Sequence, residues 1–177
     1  MKSGSASPAQ SPQPSPAHTV DVFHRGAFVL VQPAASGHRA GMDAMMLAAA
    51  VPSNFTGRLA DLGSGAGAAG LAVAARCPGA RVVLVENAPE MADLARLTAA
   101  HEANAALASR LEVIEADVTL SGAARAAEGL TDNGFDFALM NPPFNSEAHR
   151  ASPDTLRRQA HMMDDDLFER WTRTAAA

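Results

Sequence analysis

The chain has 177 residues, enough for one domain with a substantial buried core. A net charge of -5 excludes a protein that coats nucleic acid over its whole surface, although it leaves room for a basic rim on a cleft. A single cysteine, Cys77, excludes an internal disulfide framework and a cysteine-built metal site, and no apolar run reaches the roughly 18 residues of a membrane helix.

Residues 1–19 are mostly Ser, Pro, Ala and Gln without apolar periodicity and are expected to be disordered, which leaves 20–177 as the folded domain. The tail has no apolar core of a secretory signal and no arginine before Arg25, so the expected location is the cytoplasm. Residues 20–23 and 27–31 alternate like two short strands of a hairpin around His24-Arg25-Gly26. Residues 32–41 are expected to be a loop. Residues 43–51 form an apolar helix ended by Pro52, with Met42, Met45 and Met46 assigned to core packing.

From Arg58 onward strand and helix patterns alternate. Strands are expected at 59–62, 81–85, 111–114 and 135–140. The intervening helices are expected at 68–76, from 89 to about 108, and at 123–129. Strands separated by helices predict an α/β fold with a parallel sheet and right-handed crossovers.

The first of these strands runs into Asp61-Leu62-Gly63-Ser64-Gly65-Ala66-Gly67-Ala68-Ala69-Gly70. Glycines there permit a tight strand-to-helix turn and let a ligand approach the backbone. Glu86 ends the next strand, where a carboxylate can grip ribose hydroxyls. Together these point to a nucleotide-like cofactor. Asp61 sits two residues before the first glycine and suits an ammonium group, whereas beside a pyrophosphate it would repel; this favours S-adenosylmethionine over NAD. Asp117, after the third strand, can meet an adenine amino group, or can simply cap a turn.

Asn141-Pro142-Pro143-Phe144 follows the fourth strand, at the edge of the sheet where α/β ligands bind. The Asn141 side-chain oxygen and the Pro142 carbonyl can accept both hydrogens of an exocyclic amine, and Phe144 can stack on a planar group. His149, Arg150, Arg157 and Arg158 can meet RNA phosphates or form a solvated loop. Asp164-Asp165-Asp166 reads as a helix N-terminus rather than a metal site, and the histidines show no metal-ligand spacing.

Taken together, the glycine loop, Glu86, Asp117 and Asn141-Pro142-Pro143-Phe144 resemble a seven-strand, Rossmann-like, S-adenosylmethionine-dependent amino-group methyltransferase. Gln32-Pro33 and the segment from Gly37 to Leu47 are similar to the bacterial tRNA (adenine-N6) methyltransferase family, as is the stretch from Arg157 to Arg173. The resemblance implies S-adenosylmethionine as cofactor and an RNA substrate, tRNA first, with no metal and no membrane association. It implies that Gly63 and Gly65 line the methionine end of the cofactor while Asp61 takes its amino group, with Gly67 also among the cofactor-binding residues. Glu86 would hold the ribose, Asp117 the adenine, and Arg39 and Asp43 would close the pocket. Asn141, Pro142, Pro143 and Phe144 would hold the target. The chain ends in what reads as the helix before a fifth strand, so the expected fold is truncated after the fourth. Two other targets fit the tetrapeptide, a release-factor glutamine and an rRNA guanine; a small-molecule hydroxyl fits the fold but leaves the asparagine motif without a purpose. A cofactor-binding module without catalysis also fits.

Overall fold

The structure, a computed structural model, describes residues 18–34, 39–142 and 166–177. Its first unit is an antiparallel hairpin of β1 (His18–Phe23) and β2 (Phe28–Pro33), joined by a 3-10 turn at His24–Gly26. Helix α1 (Met42–Ala49) leads to the alternating part: β3 (Thr56–Leu62), α2 (Ala68–Arg76), β4 (Gly79–Glu86), α3 (Pro89–Ala100), the short α4 (Ala105–Ala108), β5 (Leu111–Glu115), α5 (Gly122–Ala127) and β6 (Phe137–Met140). Helix α6 (Leu167–Ala175) is the last element. The four later strands form one parallel sheet in the order β5-β4-β3-β6. This is the expected α/β architecture.

Alternation along the central strands distributes the core between the two faces of that sheet. Leu59 of β3 and Val82 and Leu84 of β4 join Leu71 and Val73 of α2 and Phe28 and Leu30 of β2. Ala60, Leu62, Val83 and Val85 point the other way and pack with Val118, Leu130 and Trp171 of α6. Burial on both faces explains why 82–85 read as a continuous apolar run rather than an alternating one. The chain steps outward from β3 to β4 to β5 and then returns to the far side of β3 as β6. The strand order therefore reverses between β3 and β6, and α/β ligands bind outside the carboxyl ends of strands at such a point.

Three expectations need correction. The helix expected from 89 to about 108 is broken at His101, whose backbone is extended (φ -63°, ψ 136°). The break brings Asn104 into the interior, where its amide exchanges hydrogen bonds of 2.9 Å with the Val29 N–H and carbonyl. Thr98 Oγ1 accepts from the Val31 N–H at 2.9 Å, so side chains of the α3 region satisfy the β2 edge that β1 leaves open. The methionines are not all core: Met42 and Met46 are 73% and 70% exposed, because positions four apart share the outer face of α1, while Met45 packs inward. Strand boundaries also move. β1 starts at His18, two residues before the expected onset of order, and β2 runs through Pro33 into the expected loop, while β6 starts at Phe137. Cys77 is buried at the end of α2, as expected. Residues 1–17 and the His149, Arg150, Arg157 and Arg158 group lie outside the described residues.

Candidate active site

The site lies where β3 and β6 end. β3 delivers Asp61, which is buried (3% exposed), and its Oδ2 accepts the Gly70 N–H of α2 at 2.7 Å. Burial pushes the Asp61 carboxyl up to about 7; the Gly70 hydrogen bond opposes the shift and the nearby Glu86 charge adds to it. Among the described residues no basic side chain pairs with Asp61. The glycine loop then turns over the strand end, with Gly63 (φ +68°) and Gly65 (φ +55°) in the left-handed region. The Gly63 and Ser64 N–H groups donate to the Val85 carbonyl at 2.9 and 3.0 Å, tying the loop to β4.

Glu86 closes β4 with its carboxylate wrapped in backbone amides. Oε2 accepts the Gly65 N–H at 2.8 Å, and Oε1 accepts those of Asn87 and Ala88 at 3.0 and 2.9 Å. A carboxylate offers about four lone-pair positions, so capacity for roughly one further donor remains. Asp117 forms a turn: its Oδ1 accepts from both the Thr119 N–H and Oγ1, at 2.8 and 2.7 Å. Asn141 leaves β6 exposed, and its Nδ2 donates to Asp43 Oδ2 of α1 at 3.1 Å.

A cavity of about 270 Å³ is lined by Asp61, Gly63 to Ala66, Ala40, Asp43, Leu47 and Asn141 among others, and neither Glu86 nor Asp117 lines it. Asp61, Gly63, Gly65, Asp43 and Asn141 are thus brought to one hollow. Glu86 sits behind the loop. Gly67 (φ +95°) starts α2 and faces Leu84 rather than the hollow. Arg39 turns away from the pocket: its guanidinium reaches Asp21 Oδ2 and the Pro33 carbonyl, both at 2.5 Å, and Thr19 Oγ1 at 3.0 Å. Pro142 is half-buried beside Asn141, and Pro143 and Phe144 lie outside the described residues.

Two residues to which the sequence reading gave no role of their own support this site, Gln32, quoted there only within a resemblance, and Trp171. Gln32 is buried; its Nε2 donates to Asp21 Oδ2 and its Oε1 accepts the Ala40 N–H, both at 2.7 Å. The signal was a polar residue continuing an apolar strand. Trp171 lies against Gly63 so closely that a Cβ there would fall 2.3 Å from its ring. Its signal was weak, a lone tryptophan in a mostly polar helix. Among the described residues no cluster of three His, Cys, Asp or Glu is arranged to hold a metal ion, and no helix is long and apolar enough to cross a membrane.

An open parallel sheet with a glycine loop after its first strand, an acidic residue after its second and a ligand-sized hollow at the switch point defines a Rossmann-like, nucleotide-cofactor class of protein. Residues 36–163 match the methyltransferase small domain family, and the chain belongs to it. Release factor glutamine methyltransferases of Chlorobaculum tepidum and Mycolicibacterium smegmatis are similar. The first is 34% identical over 93 residues, 52% of this chain and 29% of the relative. The second is 33% identical over 96 residues, 54% of this chain and 30% of the relative. The matched stretch thus spans about three tenths of these relatives. The structure resembles a predicted O-methyltransferase, protein Atu636 from Agrobacterium tumefaciens, with a TM-score of 0.61 and 45% identity, covering 76% of this chain and 54% of that one. It also resembles the T. Thermophilus 16S rRNA N2 G1207 methyltransferase, solved with AdoMet and guanosine, with a TM-score of 0.54 over 86% of this chain and 41% of that one. At 23% identity that second likeness concerns the fold alone.

Proposed function

We propose that the chain is an S-adenosylmethionine-dependent methyltransferase acting on an amino nitrogen, with adenine N6 of an RNA, tRNA first, as its leading target. The observation that carries this reading is the meeting of Asn141 with the glycine loop and the buried Asp61 carboxyl at one cavity. The residues fit the cofactor. Asp61 takes the amino group, the loop backbone at Gly63 and Gly65 packs on the methionine end, and the remaining capacity of Glu86 receives a ribose hydroxyl. Among the described residues Asp117 Oδ2 has no donor, and it would accept from the adenine amine. When bound, the cofactor supplies an electrophilic methyl group on sulfur.

The chain's own contribution is orientation. Asn141 Oδ1 and the Pro142 carbonyl accept the two hydrogens of the target amine, which turns its lone pair toward the methyl group. The nitrogen needs no strong base beforehand, because its proton becomes acidic only as the new bond forms. The same geometry suits a primary amide. The two release factor glutamine methyltransferases among the relatives make a glutamine side chain the second reading.

The test is transfer of labelled methyl from the cofactor to bulk tRNA, followed by nucleoside analysis, with release factor offered in parallel. Label in N6-methyladenosine that disappears in Asn141→Ala supports the leading target. Label on a release-factor glutamine selects the second reading. Binding of S-adenosylhomocysteine without transfer to either substrate overturns the catalytic claim.

A further inference from the structure

We propose that Asp43 is a positioning residue that sets which end of the Asn141 amide faces the target. The inference rests on the amino-nitrogen reading above and adds a specificity device to it. A primary amide presents an acceptor and a two-hydrogen donor of nearly equal size, so an unconstrained asparagine offers either one. Only its oxygen can receive an N–H of the target. A carboxylate accepts and cannot donate; Asp43 Oδ2, 3.1 Å from Asn141 Nδ2, therefore selects the flip in which Oδ1 is left for the target.

Asp43 lies in the first turn of α1. Its Oδ1 would be 3.1 Å from a Cβ at Gly41, so the carboxylate approaches the backbone closely at a glycine. The segment before it is anchored to the hairpin by Gln32, whose amide holds the Ala40 N–H on one side and Asp21 on the other. Arg39 adds a second tie to the same Asp21 oxygen. Arg39 and Gln32 thus fix the backbone that carries Asp43, and Asp43 fixes Asn141.

Asp43→Asn is nearly isosteric and makes the partner ambiguous, because its own amide can donate or accept. In the full chain we expect it to leave S-adenosylhomocysteine affinity within about 3-fold of wild type by calorimetry and to lower kcat for bulk tRNA at least 10-fold, with KM changed far less. In the Asn141→Ala background Asp43→Asn should add nothing further. An activity-independent readout is the side-chain amide resonance of Asn141 in the 15N–1H spectrum. Its hydrogen-bonded proton should shift in Asp43→Asn and be restored in Asp43→Glu. A tenfold loss of S-adenosylhomocysteine affinity with kcat retained would make Asp43 a cofactor contact and overturn the proposal, as would an Asn141 amide resonance indifferent to residue 43. If wild type transfers no methyl group, the amino-nitrogen reading fails, while the amide spectrum still decides whether Asp43 orients Asn141.

Discussion

The two ends of the crevice are built differently. At the glycine-loop end the polar groups are bonded to backbone, with the two carboxylates buried: Glu86 to three amides, Asp61 to the Gly70 N–H, and the half-buried Gly63 and Ser64 to the Val85 carbonyl. At the Asn141 end, among the described residues, one side-chain hydrogen bond joins two exposed residues. The first end is part of the folding core, and its geometry is fixed before any ligand arrives. The second is set by α1 and the hairpin behind it. Changes at the loop end should therefore damage fold and binding together, and changes at the target end should damage chemistry alone.

The strongest way to break the loop end is Gly63→Ala. The new Cβ meets Trp171 at 2.3 Å, on a backbone with φ +68° that disfavours any side chain. Overpacking costs about 1–3 kcal/mol and the left-handed conformation about 1 more, so a loss of about 2–4 kcal/mol is expected in urea unfolding. Pairing the change with Trp171→Leu should return the packing share and leave the backbone share. An unchanged midpoint in Gly63→Ala would show that α6 does not prop the loop.

Asp61 tests whether the same end is tuned for a cation. Its carboxyl rises from 3.8 to about 7, so the native chain holds a proton that the unfolded chain releases. Its contribution to stability is fully present below about pH 4, falls as pH rises toward 7, and is flat above. Ligand binding should run the opposite way. An ammonium group wants the ionised carboxylate, so S-adenosylhomocysteine affinity should rise about 10-fold, about 1.4 kcal/mol, from pH 6 to pH 8. Asp61→Asn should flatten that dependence. Affinity that falls over the same interval would remove Asp61 from the role of amino-group acceptor.

Legibility in the sequence follows the same division. The spacing from Asp61 through the glycines to Glu86 is local, and local chemistry shows in a sequence: glycines where φ is positive, a carboxylate at a strand end, apolar runs where a strand is buried on both faces. Asn141 was visible for the same reason. The wrong assignments depended on tertiary partners. Arg39 was placed on the pocket, but a hairpin carboxylate 18 residues earlier claims it. The helix was expected to run on to about 108, and its break appears only once the β2 edge needs Thr98 and Asn104. Met42 and Met46 looked like core because apolar residues surround them, yet the i and i+4 pair lies on the outward face of α1.

The smallest expected effect on the fold is also the sharpest test of the division. Asn141 is exposed and, among the described residues, its side chain bonds only the exposed Asp43, so Asn141→Ala should change unfolding stability by less than about 0.5 kcal/mol. Cofactor affinity should also hold, because Asp61, Glu86 and the loop backbone are untouched. Methyl transfer should nevertheless fall by at least the 10-fold expected for Asp43→Asn, since removing the amide leaves only the Pro142 carbonyl to orient the target and the flip no longer matters. Thermal unfolding, calorimetry with S-adenosylhomocysteine and transfer to bulk tRNA, run on one preparation, separate the three quantities. A variant that loses stability and cofactor affinity together with transfer would place Asn141 in the folding core beside the glycine loop, and the crevice would then have one kind of end rather than two.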